Sequence, residues 1–380
     1  MSGQIQQSPN EQQYPPQLPK SLSVSDEIDL RELFNALWGG KFLILATTLI
    51  IAVVAIVVAM TSQEWWSSTA KVARPQAQDM AEYRRQVKQF QPVFDIYQED
   101  GTVLVSEDLD DLIDSEVLFN RFIDVFNSSN EKRFFLDSSQ EFQQFKENIG
   151  SELNDEELIK ATRILYSEWF GKISAKPESP NSKMTSYDIS FQSTTSESSY
   201  SLLVNYIKTI KVKAHQDALN NLEAMVAAKK DELVQQKRIL ETQAKNRLLV
   251  EADKARYALS IANAAGVTQP IQTNSNNELF GIDLGTKALE AKVKALESVK
   301  NLSVVEPRLQ QINAKLEMLE NLKIDRSIQF QTFRFLENVE QPITRDKPKR
   351  ALIVVLGTLL GVMLGAAIVL IRFAFRREED

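Results

Sequence analysis

The sequence predicts an α+β membrane protein: two transmembrane helices flank a domain with a small membrane-proximal sheet and a long extended helical rod. Three observations predict it. Two uncharged apolar runs lie near the two ends of the 380 residues. Between them, Glu197 to Ala265 contains neither proline nor glycine. Three short alternating segments stand close in sequence to the apolar runs or to the start of that stretch.

The first run, Phe42 to Met60, reads FLILATTLIIAVVAIVVAM. At 1.5 Å per residue it covers about 30 Å of hydrocarbon. The second, Ala351 to Ile371, reads ALIVVLGTLLGVMLGAAIVLI. A soluble core helix of this length would carry a polar face, and neither run has one. Trp65 and Trp66 follow the first run at interface depth, and Lys349 and Arg350 precede the second. The first run is not a cleaved signal peptide, because a long polar segment precedes it and no small-residue cleavage site follows. Arg31, Lys41, Arg372, Arg376 and Arg377 flank one side of the pair. Lys71, Arg74, Arg345, Lys347, Lys349 and Arg350 flank the other. That balance does not choose an orientation, and long loops translocate largely regardless of charge. Residues 1–41 are rich in Gln, Pro and Ser and read as mostly disordered, apart from an amphipathic stretch at Ile28–Leu37. The nine residues 372–380 are too few for an output domain.

The middle, 61–350, divides into a base (61–196 and 323–350) and a helical rod (197–322). Residues 65–74 (WWSSTAKVAR) alternate and are β-prone, so they read as a strand. A helical region follows over 79–170, with breaks at Pro92, Gly101 and Asn127–Asn130. Its acidic run over 95–116 lacks the spacing and central glycine of an EF-hand, and reads as solvated helix faces. Residues 186–194 (SYDISFQST) alternate strictly and form the second strand. Thr194-x-x-Glu197 then fits a capping box that opens the long helix. Leu219, Val226, Leu233 and Leu240 recur every seventh residue, but the companion position fails at Lys229 and Gln236. That pattern predicts a helix packed on neighbours along one narrow stripe, not a two-stranded coiled coil. Gly266 to Asn277 is turn chemistry and marks the far tip. A second helical run returns to Leu322 with a break near Pro307, and 327–335 (SIQFQTFRF) alternates as a third strand.

Catalytic chemistry is scarce. The absence of cysteine excludes disulfides, thiolate metal sites and cysteine nucleophiles. The single histidine, His215, lies inside the long helix among Lys211, Lys213 and Asp217, and reads as a solvated helix residue. Gly285-Thr286-Lys287 reverses the order of a phosphate loop. A net charge of −7 argues against nucleic acid as a partner. The reading is therefore a non-enzyme without cofactor or metal.

One motif stands apart. Gly357, Gly361 and Gly365 fall every fourth residue in the second span, a flat stripe where another helix backbone can come close. That partner is either a further copy of the chain or another membrane protein.

With these elements in this order, the chain resembles the Wzz family of polysaccharide chain-length determinants, the bacterial polysaccharide co-polymerases. The resemblance rests on the span at 42–60, the helical middle, the return segment LFGIDLGTKALEA, the approach Pro342-x5-Pro348-Lys349-Arg350 and the glycine helix. It covers Ile28 to Arg377. It departs in having only two prolines, Pro342 and Pro348, before the second span. The resemblance implies cytoplasmic segments 1–41 and 372–380, membrane helices 42–60 and 351–371, and a periplasmic middle in a bacterial inner membrane. It implies a homo-oligomer that sets the modal length of O-antigen or a related lipid-linked glycan, beside a Wzy-type polymerase. Members fused to a tyrosine kinase are set aside, because the tail after Arg372 has neither a Walker motif nor a tyrosine cluster.

Two other classes fit less well. A two-span sensor needs an output domain. A periplasmic adaptor of a trans-envelope export system also carries long helical hairpins, but usually with one span and sizeable β-rich domains.

Overall fold

A computed structural model describes residues 30–98, 100–149, 154–178, 186–271 and 280–379. The helices are α1 (Leu30–Gly39), α2 (Lys41–Thr61), α3 (Ala81–Lys88), α4 (Gln91–Phe94), α5 (Asp110–Ile113), α6 (Ser115–Asn127), α7 (Ser129–Ser138) and α8 (Gln140–Ile149). They continue with α9 (Asp155–Lys172), α10 (Ser196–Ala264), α11 (Gly285–Ser298), α12 (Arg308–Asn321) and α13 (Arg350–Glu379). The strands are β1 (Trp66–Ala73), β2 (Ile96–Tyr97), β3 (Val103–Leu104), β4 (Ile173–Pro177), β5 (Ser186–Ser193) and β6 (Arg334–Glu340). The chain divides into two units, one made of 1–63 and 347–380, the other of 64–346. The disorder expected of residues 1–29 lies outside the described residues.

The first unit holds α1, α2 and α13. Both long helices meet the length and apolarity needed to cross a membrane. α2 exceeds its apolar run by one residue at each end, whereas α13 starts one residue before its run and continues eight residues past it, to Glu379.

The second unit is built on a four-stranded antiparallel sheet of order β4-β5-β1-β6. β1 is central: Trp66 pairs with Ser193 and Ala73 with Ser186 on one side, while Thr69 pairs with Glu340 on the other. The strand expected at 65–74 and the one at 186–194 are both present. Residues of β1, β4 and β5 turn their inner side chains onto a core of aromatic rings. Phe122 stacks on Phe333 with centroids 4.1 Å apart, and Phe126 meets Tyr206 edge-on at 4.8 Å. The Tyr206 hydroxyl donates to the buried Phe126 carbonyl at 2.7 Å, which settles the one polar atom the ring brings inside. Lys132, buried in this core, donates to the carbonyls of Phe170 and Ile173 at 3.2 and 2.8 Å, closing the C-terminal end of α9.

The third strand is displaced from its expected position. Ser327–Phe333 alternates but is not a strand: the Gln331 amide donates to the Asp79 carbonyl at 2.9 Å, and the Gln329 amide donates to the Glu82 carboxylate at 2.9 Å. Its inward residues bury all the same. Phe330 stacks on Tyr83 at 4.4 Å and lies 4.1 Å from the His215 ring. The sheet ladder forms one segment later, at β6. The helical region expected at 79–170 is likewise interrupted, by the β2–β3 hairpin around Gly101 (φ +87°). Pro92 lies in the first turn of α4, where its missing N–H costs nothing.

α10 is one continuous helix of 69 residues, about 100 Å long. Its N-cap is Thr195, whose hydroxyl accepts from the Ser198 amide at 3.0 Å. The expected cap, Thr194, instead gives its hydroxyl to Glu141 at 2.9 Å. Beyond the base, one stripe of α10 stays buried: Leu219, Leu222, Leu233 and Leu240, then Ala244, Ala252, Ala255, Ala258 and Ala262. The leucines meet Leu309, Ile312 and Leu319 of α12, and Ala258 and Ala262 meet Leu289 of α11. Arg256 pairs with Glu297, so α11 runs back along α10. The narrow stripe expected from the heptads is thus filled by a return path within the same chain. At the turn, Gly266 and Gly285 both have positive φ, +70° and +74°. A Cβ at Gly285 would come 2.8 Å from the Gln269 carbonyl carbon, so the turn demands glycine there. Residues 272–277 of the expected tip lie outside the described residues.

Candidate functional site

In the first unit, the glycine stripe of α13 faces α2 of the same chain. A Cβ built at Gly357 would meet the Ala55 Cβ at 2.5 Å. At Gly361 it would meet the Thr48 Cα at 2.8 Å, and at Gly365 the Ile44 Cα at 2.9 Å and the Thr47 hydroxyl. No side chain fits in these gaps, so the two backbones meet directly. Gly40 repeats the arrangement from the other side, with a Cβ there falling 2.5 Å from Val369.

The α2 side of this contact is set by residues that the glycine motif does not reveal. Thr47, Ile51, Ala55 and Ala59 recur every fourth residue and present the matching ridge. Their own spacing was the available signal. The hydroxyls of Thr47 and Thr48 are returned to their own helix, on the carbonyls of Leu43 and Ile44 at 2.7–3.0 Å. Bonding back in this way lets a polar side chain lie in hydrocarbon without an orphaned donor. Ala55 and Ala59 are buried, and the Arg350 side chain donates to the Ala59 carbonyl at 3.1 Å. The opposite faces, with Leu45, Leu49, Leu356 and Met363, are exposed and apolar, as lipid contact requires.

The remaining residues singled out by sequence do not join this contact as side chains. Pro342 lies in the second unit after β6, where its carbonyl accepts from the Ser196 hydroxyl at 2.7 Å. That bond ties the chain after β6 to the first turn of α10. Pro348 and Lys349 belong to the first unit. The Pro348 carbonyl accepts from the Arg350 amide at 2.9 Å and the Lys349 carbonyl from the Ile353 amide at 3.1 Å, so together they start α13.

The foot of α10 is held by polar bonds. The Glu141 carboxylate accepts from the hydroxyls of Ser193, Thr194 and Ser198. Lys71 of β1 bridges Glu178 at 3.0 Å and Glu337 at 3.2 Å, and its hydrogen bond to Glu178 above all raises its pKa. His215 is not the solvated residue expected. Its ring is half-buried against Phe330, and burial, followed by the charge of Lys211, holds its pKa below the ordinary value. Three of the acids of 95–116 are engaged locally: Asp114 caps α6, Asp95 accepts from the Ser106 amide at 3.0 Å, and Asp110 pairs with Lys88 at 3.0 Å. Among the described residues no group of three or more such ligands is placed to hold a metal ion.

The class this defines is a two-pass membrane protein in which a glycine-packed helix pair brackets an α+β domain with a helical hairpin. Residues 26–162 match the Wzz family model, described as chain length determinant protein, and residues 308–374 match the G-rich domain model GNVR. The ferric enterobactin transport protein FepE of Escherichia coli (strain K12) is 28% identical over 375 residues, covering 96% of this chain and 94% of that protein. The chain length determinant protein of Shigella dysenteriae is 28% identical over 353 residues, covering 92% and 94%. The solved structure of a full-length bacterial polysaccharide co-polymerase is 25% identical, covers 92% of this chain and 99% of its own, and superposes with a TM-score of 0.54. Over most of its length the chain is therefore similar to the chain-length determinants of the Wzz family, whose model it matches at residues 26–162.

Proposed function

We propose that this protein sets the modal chain length of O-antigen or a related lipid-linked surface polysaccharide. It acts as an oligomeric, non-catalytic scaffold beside a Wzy-type polymerase in the bacterial inner membrane. The observation that carries the reading is the extent of the likeness to a chain length determinant protein, which covers 92% of this chain. In this reading residues 1–41 and 372–380 are cytoplasmic, 42–60 and 351–371 span the membrane, and 61–350 is periplasmic. Gly357, Gly361 and Gly365 lock the two spans of one chain into a single unit, which leaves their outer faces for lipid and for neighbouring copies. Pro342, Pro348 and Lys349 fix the path into the second span. The base, 61–196 and 323–350, carries the rod, 197–322.

The mechanism asks for no nucleophile or acid–base pair. Copies standing side by side offer a repeated surface along a helix about 100 Å long, against which a growing polymer or its polymerase is held. The extent and chemistry of that surface bias when extension stops. Deleting the gene is expected to abolish the modal band in the surface-polysaccharide ladder, and complementation to restore it. Exchanging 197–300 for the segment of a relative with a longer mode shifts the band; an unmoved band rejects the rod as carrier of the length information.

The name of the FepE relative favours a second reading, a role in ferric siderophore transport. That reading predicts slower uptake of ferric enterobactin in the deletion strain with its polysaccharide ladder intact.

A further inference from the structure

Midway along α10 one side of the heptad stripe fails, at Lys229 and Gln236, and the packing there opens. A cleft of about 690 Å³ lies between α10, α12 and the β2–β3 hairpin. Its floor is apolar: Phe94, Leu233, Leu240 and Ile312 are buried. Its rim is made of amides. Gln98 comes from the hairpin, Gln236 and Gln243 from α10, and Gln311 from α12.

The charges on this rim are already satisfied inside the protein. Lys229 bonds Glu232 at 2.8 Å, and the same carboxylate accepts from the Gln236 amide at 2.7 Å. Lys315 donates to the Asp95 carbonyl and lies 5.6 Å from the centre of the Tyr97 ring. The side-chain amides of Gln98, Gln243 and Gln311, by contrast, make no hydrogen bond to protein among the described residues. Each offers two donors and an acceptor, a set that suits a hydroxyl group, which both gives and receives. Tyr97 is 40% exposed and Ile239 57% exposed, so apolar surface stands beside those amides. A charged ligand would find few unpaired partners here. A protein partner would have to bury these unpaired amides, which is costly unless each is matched. A sugar ring presents hydroxyls at its edge and C–H bonds on its face, and both have counterparts in the cleft.

We infer that this cleft binds a short neutral oligosaccharide segment, the Tyr97 ring lying against a sugar face and the glutamine amides bonding its hydroxyls. The inference rests on the polysaccharide role proposed above for its biological meaning, but not for its binding chemistry. Among the described residues Glu232 is the only carboxylate on the lining, whereas glycosidic cleavage generally needs a pair, so the role inferred for the cleft is holding a ligand.

The test uses the full chain in lipid nanodiscs and, as probe, the producing strain's surface polysaccharide released from its lipid by mild acid. Saturation-transfer NMR and calorimetry measure binding to the native protein, Tyr97→Ala, Tyr97→Phe and the double variant Gln243→Ala/Gln311→Ala. Tyr97→Ala and the double variant are expected to weaken binding roughly tenfold, about 1.4 kcal/mol, while Tyr97→Phe keeps the ring and the affinity. These positions are exposed, so thermal unfolding stays unchanged. Equal affinity in all four proteins, or no binding to the native one, overturns the cleft assignment. The same variants returned to the deletion strain broaden the modal band. A deletion strain with a normal ladder defeats the proposed function, and the binding measurements still decide the cleft.

Discussion

A Cβ at Gly361 would lie 2.8 Å from the Thr48 Cα, nearer than carbon atoms pack. The two membrane helices of one chain therefore touch backbone to backbone, and any side chain at 361 must separate them. Gly361→Leu is expected to do so. The absence of native cysteine makes the measurement clean. An Ala55→Cys/Gly357→Cys pair cross-links on mild oxidation after a small outward give, since a disulfide needs about 3.8 Å between Cβ atoms. Adding Gly361→Leu removes most of that cross-link. An undiminished cross-link would show that the helices meet elsewhere.

Phe330 fills the space between Tyr83 and His215 and is 4% exposed. Phe330→Ala should destabilise the second unit by about 3–5 kcal/mol, read as a lower urea midpoint by Trp fluorescence. Gln329→Ala, one residue away and exposed, should stay within about 0.5 kcal/mol.

His215 gives that region an acid sensitivity. Burial lowers its folded-state pKa, so the unfolded chain takes up the proton first as pH falls. Stability from this group is complete above about pH 6.5 and declines as pH drops from there toward the depressed folded value. Urea midpoints at pH 7.5 and pH 5 should differ more for the native chain than for His215→Phe. Identical pH slopes in the two proteins would place the histidine in water.

Thr195, not Thr194, closes the first turn of α10. Thr195→Ala should cost about 1 kcal/mol of stability. Thr195→Asp, which keeps an acceptor for the Ser198 amide, should recover most of it.

Where burial and backbone pairing coincide, the sequence is readable. In β5 the alternation of Tyr187, Ile189 and Phe191 marks both the ladder and the core face, and the two agree. In 327–335 they part. Phe330 and Phe333 are buried as their spacing suggests, yet the backbone there bonds to Asp79 and Glu82. The true ladder strand, β6, is mostly exposed along its length, so it carries no hydrophobic period to detect. β4 escapes notice for a related reason: only Ile173 and Ala175 point inward, too few to show an alternation. His215 looks solvated because its sequence neighbours are charged; the ring that covers it comes from residue 330. The glycines of α13 announce a close approach but not its partner, because small residues fit any backbone. The cleft beside Tyr97 was visible only as two failed heptad positions, Lys229 and Gln236, with nothing local to say that a hairpin and α12 would face them.

Antiparallel pairing of β1 with β6 has one more effect. The polypeptide begins and finishes its excursion through the second unit on adjacent strands, Thr69 opposite Glu340. Whatever lies between those strands is a closed detour whose reach leaves its starting point unaltered. Whole turns can be added to or removed from the outer part of α10, with matching changes in α11, without moving a single rung of the ladder. A taller or shorter hairpin would rest on the same foundation, so dimension is a trait that can be tuned independently of the sheet.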